Sequence, residues 1–254
     1  MFVVTGGGRG IGRALALALA YRKKHVLIVG RQEADLKAVA QCSSLIRYVS
    51  ADVSASEGRE KIIAALQHVS QVDGLIHNAG LIEPIAPLRA VSVSSFQQIM
   101  ATNLEAPLFL NQSLYDKLET GRVLHIGTAV AYFPVVGLSL YCISKAALSM
   151  LTRCWQLEFP ERLCASVMPG IIDTDMQEKI RHSEAIDPEQ LKFYKRLYDI
   201  EGLISVDTVA LFLCWLLLDI TSTRYVSKEW DIYDTSDHAE WLVPPHRVPP
   251  LESL

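Results

Sequence analysis

The chain has 254 residues, half of them hydrophobic, with 24 basic and 28 acidic side chains and a formal net charge of -4. That length suits one α/β domain with a sizeable core, and the mild acidity gives no support for a nucleic-acid or acidic-membrane partner. Five cysteines (42, 142, 154, 164, 214) form no Cys-x-x-Cys pair and are odd in number, so they read as buried, reduced thiols of a cytosolic (cytoplasmic) protein, and no metal site is expected.

An apolar run at 2–4 leads into Thr5-Gly6-Gly7-Gly8-Arg9-Gly10-Ile11-Gly12, and an alanine-leucine helix is predicted over 13–22. Strand, glycine loop, helix is the layout in which unpaired amides at a helix N-terminus receive a phosphate. Glycines let the backbone approach a pyrophosphate with no Cβ in the way. The spacing, with glycines at 6, 10 and 12, is not Gly-x-Gly-x-x-Gly. Arg13 and Ala14 stand where a nucleoside-triphosphate loop needs Lys then Ser or Thr. The alternative is a glycine-rich hairpin or a flexible tip, and four glycines opening an alanine-leucine helix argue against it.

The second strand is predicted at 25–29, ending at Gly30-Arg31, and the third at 45–49, followed by Asp52-Val53. Helical periodicity covers 54–69, and a fourth strand at 74–78 ends in Asn78-Ala79-Gly80. One or two helices over 95–118 contain Asn103, and a fifth strand runs at 122–126. A long helix at 141–159 precedes a sixth strand at 163–168 that leads to Pro169-Gly170. A polar, helix-prone excursion covers 173–200, then a helix at 207–218 and a last strand near 225–233. The apolar stretches 14–20 and 209–218 imitate a signal peptide and a membrane span. The first has the wrong flanks and the second half the necessary length, so both are read as buried helices.

Apolar strands alternating with helices imply an α/β single-domain Rossmann fold, a doubly wound, parallel, seven-stranded sheet with helices on both faces. The domain is expected over 1–234. Residues 235–254 form a Pro-rich C-terminal extension, predicted to be extended. Its Trp241, Leu242, Val243, Val248 and Leu251 predict that it packs on the body, near the pocket entrance or across a subunit boundary.

Tyr141 and Lys145 are one helical turn apart and share a face. A neighbouring ammonium favours the phenolate, so such a pair can cycle as general acid and base; in isolation it can also be an exposed helix pair. Thr128 follows the fifth strand, where a hydroxyl can hydrogen-bond a substrate carbonyl. The glycine loop, Asn78-Ala79-Gly80, Thr128 and Pro169-Gly170 all fall at the carboxyl ends of strands, where open α/β sheets bind ligands.

The ordered set Thr5-Gly6-x3-Gly10-Ile11-Gly12, Asn78-Ala79-Gly80, Asn103, Tyr141-x3-Lys145 and Pro169-Gly170 resembles the short-chain dehydrogenase/reductase family over roughly 1–234. The resemblance implies that Tyr141 is the catalytic acid and that Lys145 binds the nicotinamide ribose and lowers the tyrosine pKa. It implies a relay water at Asn103, a carboxamide contact at Thr174, and cofactor contacts along Gly6, Arg9, Gly10, Ile11, Gly12, Arg31, Asp52, Val53, Asn78, Ala79, Gly80, Tyr141, Pro169 and Gly170. It also implies a homodimer or homotetramer built on the helices containing Asn103 and Tyr141. Leu104, Leu108, Leu148 and Leu151 are candidates for the extra apolar face. Where the family usually has serine this chain has Thr128, whose added methyl stiffens χ1.

Pro169-Gly-Ile-Ile-Asp-Thr-Asp-Met-Gln177 and Trp230-Asp-Ile-Tyr-Asp234 resemble the sepiapterin reductase and benzil reductase branch more closely. By that resemblance Asp231 matches a carboxylate that anchors a pterin; a lone Asp at a strand end can also simply cap a turn. Cofactor choice follows from the second strand, which ends in Gly30-Arg31 where an NAD-binding fold places a carboxylate. Arg31 and Arg9 suit the 2′-phosphate of NADP(H), because guanidinium groups pair well with phosphate oxygens. The expected function is an NADPH-dependent carbonyl reductase acting on a small-molecule ketone, a vicinal diketone or a pterin side-chain carbonyl, with Thr128, Tyr141 and Asp231 at the substrate. The alternatives are a dinucleotide-binding sensor or scaffold with weak turnover, suggested by Thr128, and a 3-ketoacyl-type reductase.

Overall fold

Side chains that alternate along each strand are sorted to opposite faces of a sheet, and in this chain both sets are apolar. In the computed structural model, which describes residues 1–251, seven strands form one parallel sheet in the order β3-β2-β1-β4-β5-β6-β7. They are β1 (Phe2–Thr5), β2 (Val26–Gly30), β3 (Ile46–Ser50), β4 (Gly74–His77), β5 (Arg122–Ile126), β6 (Leu163–Met168) and β7 (Trp230–Asp231). Val4, Ile28, Ile76 and Leu124 face one layer, with Leu15, Leu19, Phe212 and Trp215. Val3, Leu27, Leu75 and Val123 face the other, with Ile62, Leu110 and Trp155. The parallel register puts the carboxyl ends of all the strands along a single rim.

Helix α1 (Gly10–Tyr21) begins inside the glycine loop, three residues before the predicted start, so Gly10 and Gly12 lie in its first turn. A short helix that the sequence reading missed, α2 (Glu33–Ala40), links β2 to β3. The expected helix at 54–69 is shorter, α3 (Ser56–Ala65). The 95–118 stretch resolves into α4 (Val93–Met100), a π-turn at Ala101–Glu105 and α5 (Ala106–Ser113). Then come α6 (Ser139–Glu158), α7 (Asp175–Arg181), α8 (Pro188–Asp199) and α9 (Val206–Leu218). Where a long last strand was expected, Thr221 caps a short α10 (Ser222–Tyr225) and β7 keeps two residues.

The tail is not simply extended: a 3₁₀ turn at Thr235–Asp237 runs into α11 (His238–Trp241). Trp241 is buried against α9, its ring 4.7 Å from that of Phe212. His246 Nδ1 lies 3.2 Å from Thr208 Oγ1, Val248 packs on the same core, and Arg224 pairs with Asp237 at 2.6 Å and Glu240 at 2.7 Å. The tail therefore packs on the body, on the α9 side of the sheet. Of the cysteines, 142, 164 and 214 are buried, whereas Cys42 and Cys154 are exposed, contrary to expectation; all five are free thiols. Among the described residues no helix is long and apolar enough to cross a membrane.

A polar chain lies wholly inside the sheet's α5–α6 side. His77 Nε2 donates to Asn111 Oδ1 at 2.8 Å, Asn111 Nδ2 donates to His125 Nε2 at 3.3 Å, and His125 Nδ1 donates to Thr152 Oγ1 at 2.7 Å. Burial, with the Lys145 ammonium nearby, pushes both imidazoles down, His77 to about 4 and His125 well below its usual value. Unfolding exposes them to protons at their ordinary value near 6.5. The stability they confer is therefore complete above pH 6.5 and is lost as the pH falls toward 4. At about 1.4 kcal/mol per pKa unit, His77 alone contributes on the order of 3 kcal/mol. A urea midpoint that falls less between pH 7 and 4.5 in a His77→Asn variant than in the wild type, His125 still contributing, is the expected result.

Candidate active site

The glycine loop is fixed from both sides. Gly6 has φ +66°, open to glycine at little cost. A Cβ on Gly12 would lie 2.3 Å from the Gly6 carbonyl oxygen, so only glycine lets the first turn of α1 close on the loop. Thr5 Oγ1 accepts from the amides of Asn78 at 3.1 Å and Ala79 at 3.0 Å, and donates to the Ile76 carbonyl. Asn78 Nδ2 donates back to the carbonyls of Thr5 and Gly6. Asn78 thus stitches β4 to the loop, and Ala79-Gly80 follow on the same rim. Arg9, the N-cap of α1, provides no side-chain cap, which leaves the helix amides pointing at the loop.

These features fit a dinucleotide: a Cβ-free cradle, uncapped amides at a helix N-terminus, and a rim arginine. Arg31 follows Gly30 at the end of β2, exposed and 4.0 Å from Asp52. Two carboxylates near this rim, Asp52 and Asp35 (against Gly8), come from the loop after β3 and from α2, not from the end of β2. Arg9 pairs with Asp175 in α7 at 3.2 Å. Thr174 caps α7 through Gln177 N, and its methyl faces Gly10. Gly170, at φ +83°, turns the chain after Pro169 against Ile204.

Asn103 is brought inward by the π-turn, a device common at functional sites. Its Oδ1 accepts from Leu81 N at 2.8 Å, and its Nδ2 donates to Leu81 O at 2.8 Å and to Ser144 Oγ at 2.9 Å. Ser144 Oγ donates in turn to the Tyr141 carbonyl. Lys145 is buried, and its Nζ donates to the Ile126 carbonyl at 2.7 Å while standing 5.8 Å from the centre of the Tyr141 ring. Burial draws Lys145 down to about 8. Tyr141 differs from expectation: burial, with Cys142 and Tyr194 nearby, pushes its phenol up. The ammonium is turned to the Ile126 carbonyl, and the phenol keeps its proton at neutral pH.

Thr128 follows β5 and caps a one-turn 3₁₀ helix (Ala129–Ala131), its Oγ1 accepting from Val130 N at a long 3.4 Å. Around Tyr141 lies a third apolar cluster, formed by Ile82, Val135, Leu138, Cys142, Ile180, Ile186 and Tyr194. The 173–200 excursion therefore covers the site through α7 and α8. Tyr132, just after the 3₁₀ turn, directs its phenol to Ser149 and Glu229. Asp231 accepts from Tyr233 N at 3.0 Å, so it caps its own turn at the end of β7.

A family model described as short chain dehydrogenase matches residues 1–185. The chain belongs to the short-chain dehydrogenase/reductase family. It is 32% identical over 226 residues to human dehydrogenase/reductase SDR family member 2, mitochondrial, covering 84% of this chain and 79% of that one. It is 29% identical over 221 residues to the (S)-benzoin-forming benzil reductase of Bacillus subtilis, covering 83% and 90%. A short-chain dehydrogenase/reductase structure from Saccharomyces cerevisiae shares the fold, with a TM-score of 0.87 at 24% identity over 94% of this chain and 98% of that one.

Within this short-chain dehydrogenase/reductase, sequence reasoning missed Ser144 and the Ile126 carbonyl. Ser144 carried a usable signal: it lies three residues after Tyr141 and one before Lys145, on the same helix face. A backbone carbonyl carries none.

Proposed function

We propose that this family member is an NADPH-dependent carbonyl reductase whose substrate is an apolar ketone, with vicinal diketones the leading class. The observation that carries the reading is the meeting of Tyr141, Lys145, Asn103 and Thr128 on one rim beside an apolar wall. When bound, NADPH supplies the hydride. Thr128 Oγ1 is weakly engaged, so its hydroxyl is available to hold the carbonyl oxygen. Tyr141, protonated at neutral pH as an ordinary phenol is, gives its proton to that oxygen as negative charge develops there. Lys145 then stabilises the phenolate left behind, and Asn103 braces the 81 loop against α6. The apolar wall suits flat hydrocarbon flanks, as in the substrate named for the Bacillus relative, and offers little to a polyhydroxylated carbonyl compound. Loss of NADPH absorbance with aryl diketones is the test; binding of NADPH with no turnover on any ketone would favour the sensor reading.

Arg31 and the missing carboxylate at Gly30 support NADP(H) over NAD(H). Arg31→Ala is expected to weaken NADPH by about 1.5–3 kcal/mol, the scale of a hydrogen bond to a charged group, and NADH far less. Equal losses in two titrations would remove the phosphate contact.

A homodimer or homotetramer also fits, with one of the four expected residues, Leu148, removed from the outer face and Leu104, Leu108 and Leu151 half-buried. Leu148 is core. The outward apolar residues are Phe96 on α4, Phe109 on α5, and Ile143, Met150 and Leu157 on α6, the last 82% exposed. Light scattering is expected to give at least twice the 28.2 kDa chain mass; a monomer at micromolar concentration would overturn the assembly.

A further inference from the structure

The loop that carries Thr128 is held by a partly exposed side-chain clamp that no catalytic motif includes. Thr128 and Tyr132 bracket the single 3₁₀ turn Ala129–Ala131. The Tyr132 hydroxyl is within 2.6 Å of Ser149 Oγ on α6 and donates to Glu229 Oε2. Glu229 Oε1 accepts from Ser166 Oγ of β6 at 2.6 Å, and Arg153 of α6 donates to Ser149 Oγ at 3.2 Å. At the other end of the loop, Gly127 N donates to the Val167 carbonyl at 2.8 Å. A Cβ on Gly127 would lie 3.7 Å from Glu229 Oε1, so the carboxylate runs close along the backbone just before Thr128.

We infer that Tyr132 and Glu229 are positioning residues that set where the Thr128 hydroxyl stands relative to Tyr141. The physical reason lies in the threonine itself. A β-branched side chain has little freedom at χ1, so its hydroxyl cannot swing to correct a displaced backbone. The position of the oxygen is then decided by the loop, and the loop by its anchors. One anchor is the strand-end amide of Gly127; the other is the phenol of Tyr132, tied to α6, which also carries Tyr141, and to Glu229 beside β7. The clamp thus references Thr128 directly to the helix that carries the proton donor. Misplacement of a reacting group by about 1 Å can cost on the order of a hundredfold in rate.

This inference rests on the reading of Thr128 as the ligand of the substrate carbonyl, and a double-mutant cycle separates the two. In purified full-length protein, Tyr132→Phe is expected to lower kcat roughly tenfold, with NADPH affinity and melting temperature close to wild type. Thr128→Ala is expected to lower kcat as well. In the Thr128→Ala background, Tyr132→Phe should change kcat by less than about twofold, because no hydroxyl remains to be aimed. If Tyr132→Phe fails to fold, Glu229→Gln takes its place in the same cycle. Equal effects of Tyr132→Phe in both backgrounds would overturn the clamp, as would a harmless Tyr132→Phe beside a damaging Thr128→Ala. A harmless Thr128→Ala would overturn the catalytic reading of Thr128 and the clamp with it.

Discussion

Tyr141→Phe is expected to leave NADPH binding nearly intact and to cut ketone turnover at least about a hundredfold, the scale of a lost general acid. The two halves of that result have separate causes. The cradle of Gly6, Gly12 and Asn78 is built by β1, β4 and α1, and the Tyr141 hydroxyl takes no part in it. The ring remains in the phenylalanine variant, so packing among Ile82, Leu138 and Tyr194 is kept. Only the hydroxyl, with the proton it donates, is gone. Single-turnover absorbance and a fluorescence titration with NADPH measure the two halves; retained turnover would remove Tyr141 from the chemistry.

Trp241→Ala is expected to destabilise the chain by about 3 kcal/mol, toward the low end for a truncated buried indole. Trp241 is 3% exposed and packs on Phe212 and on His238. The cost is moderated because its buried Nε1 has no hydrogen-bond partner, so the variant also sheds an unsatisfied polar group. For a chain of this length the expected fall in melting temperature is roughly 6–12 °C. A chain ending at Asp234 should fall further, since it also loses the Asp237 and Glu240 partners of Arg224. An unchanged melting temperature in both would show that the tail adds nothing to the fold.

The strands that were easiest to place from the sequence are those buried on both faces, such as β1 and β2, where continuous apolar runs leave little choice. Helix α2 escaped notice because its eight residues bury only Leu36 and Val39, too few to set a period. The overlong last strand came from reading Tyr225 as part of a run, when the Thr221 side chain caps a helical turn through Arg224 N. In the site, Tyr141, Lys145 and Asn103 were legible because each has a fixed place in the chain. Their partners were not, because Leu81 and the Ile126 carbonyl meet them only through space. Leu148 was misplaced on the outer face although its spacing settles the matter. It lies seven residues, two turns, after Tyr141 and shares its buried side with Lys145, Thr152 and Trp155.

The brevity of β7 bears on how the protein avoids sticking to itself. A sheet's border strand offers a row of unpaired amides and carbonyls on which another chain can grow. Here the border beyond β6 is two residues long, and the next carbonyl, Ile232, is taken by His238 Nε2 at 2.8 Å. At the opposite border, β3 sets the exposed charge of Arg47 among its five residues, a guard of the kind natural sheets use. Neither end of the sheet is left as an open template for strand addition, so the proposed assembly is expected to use helix surfaces rather than the backbone ladder.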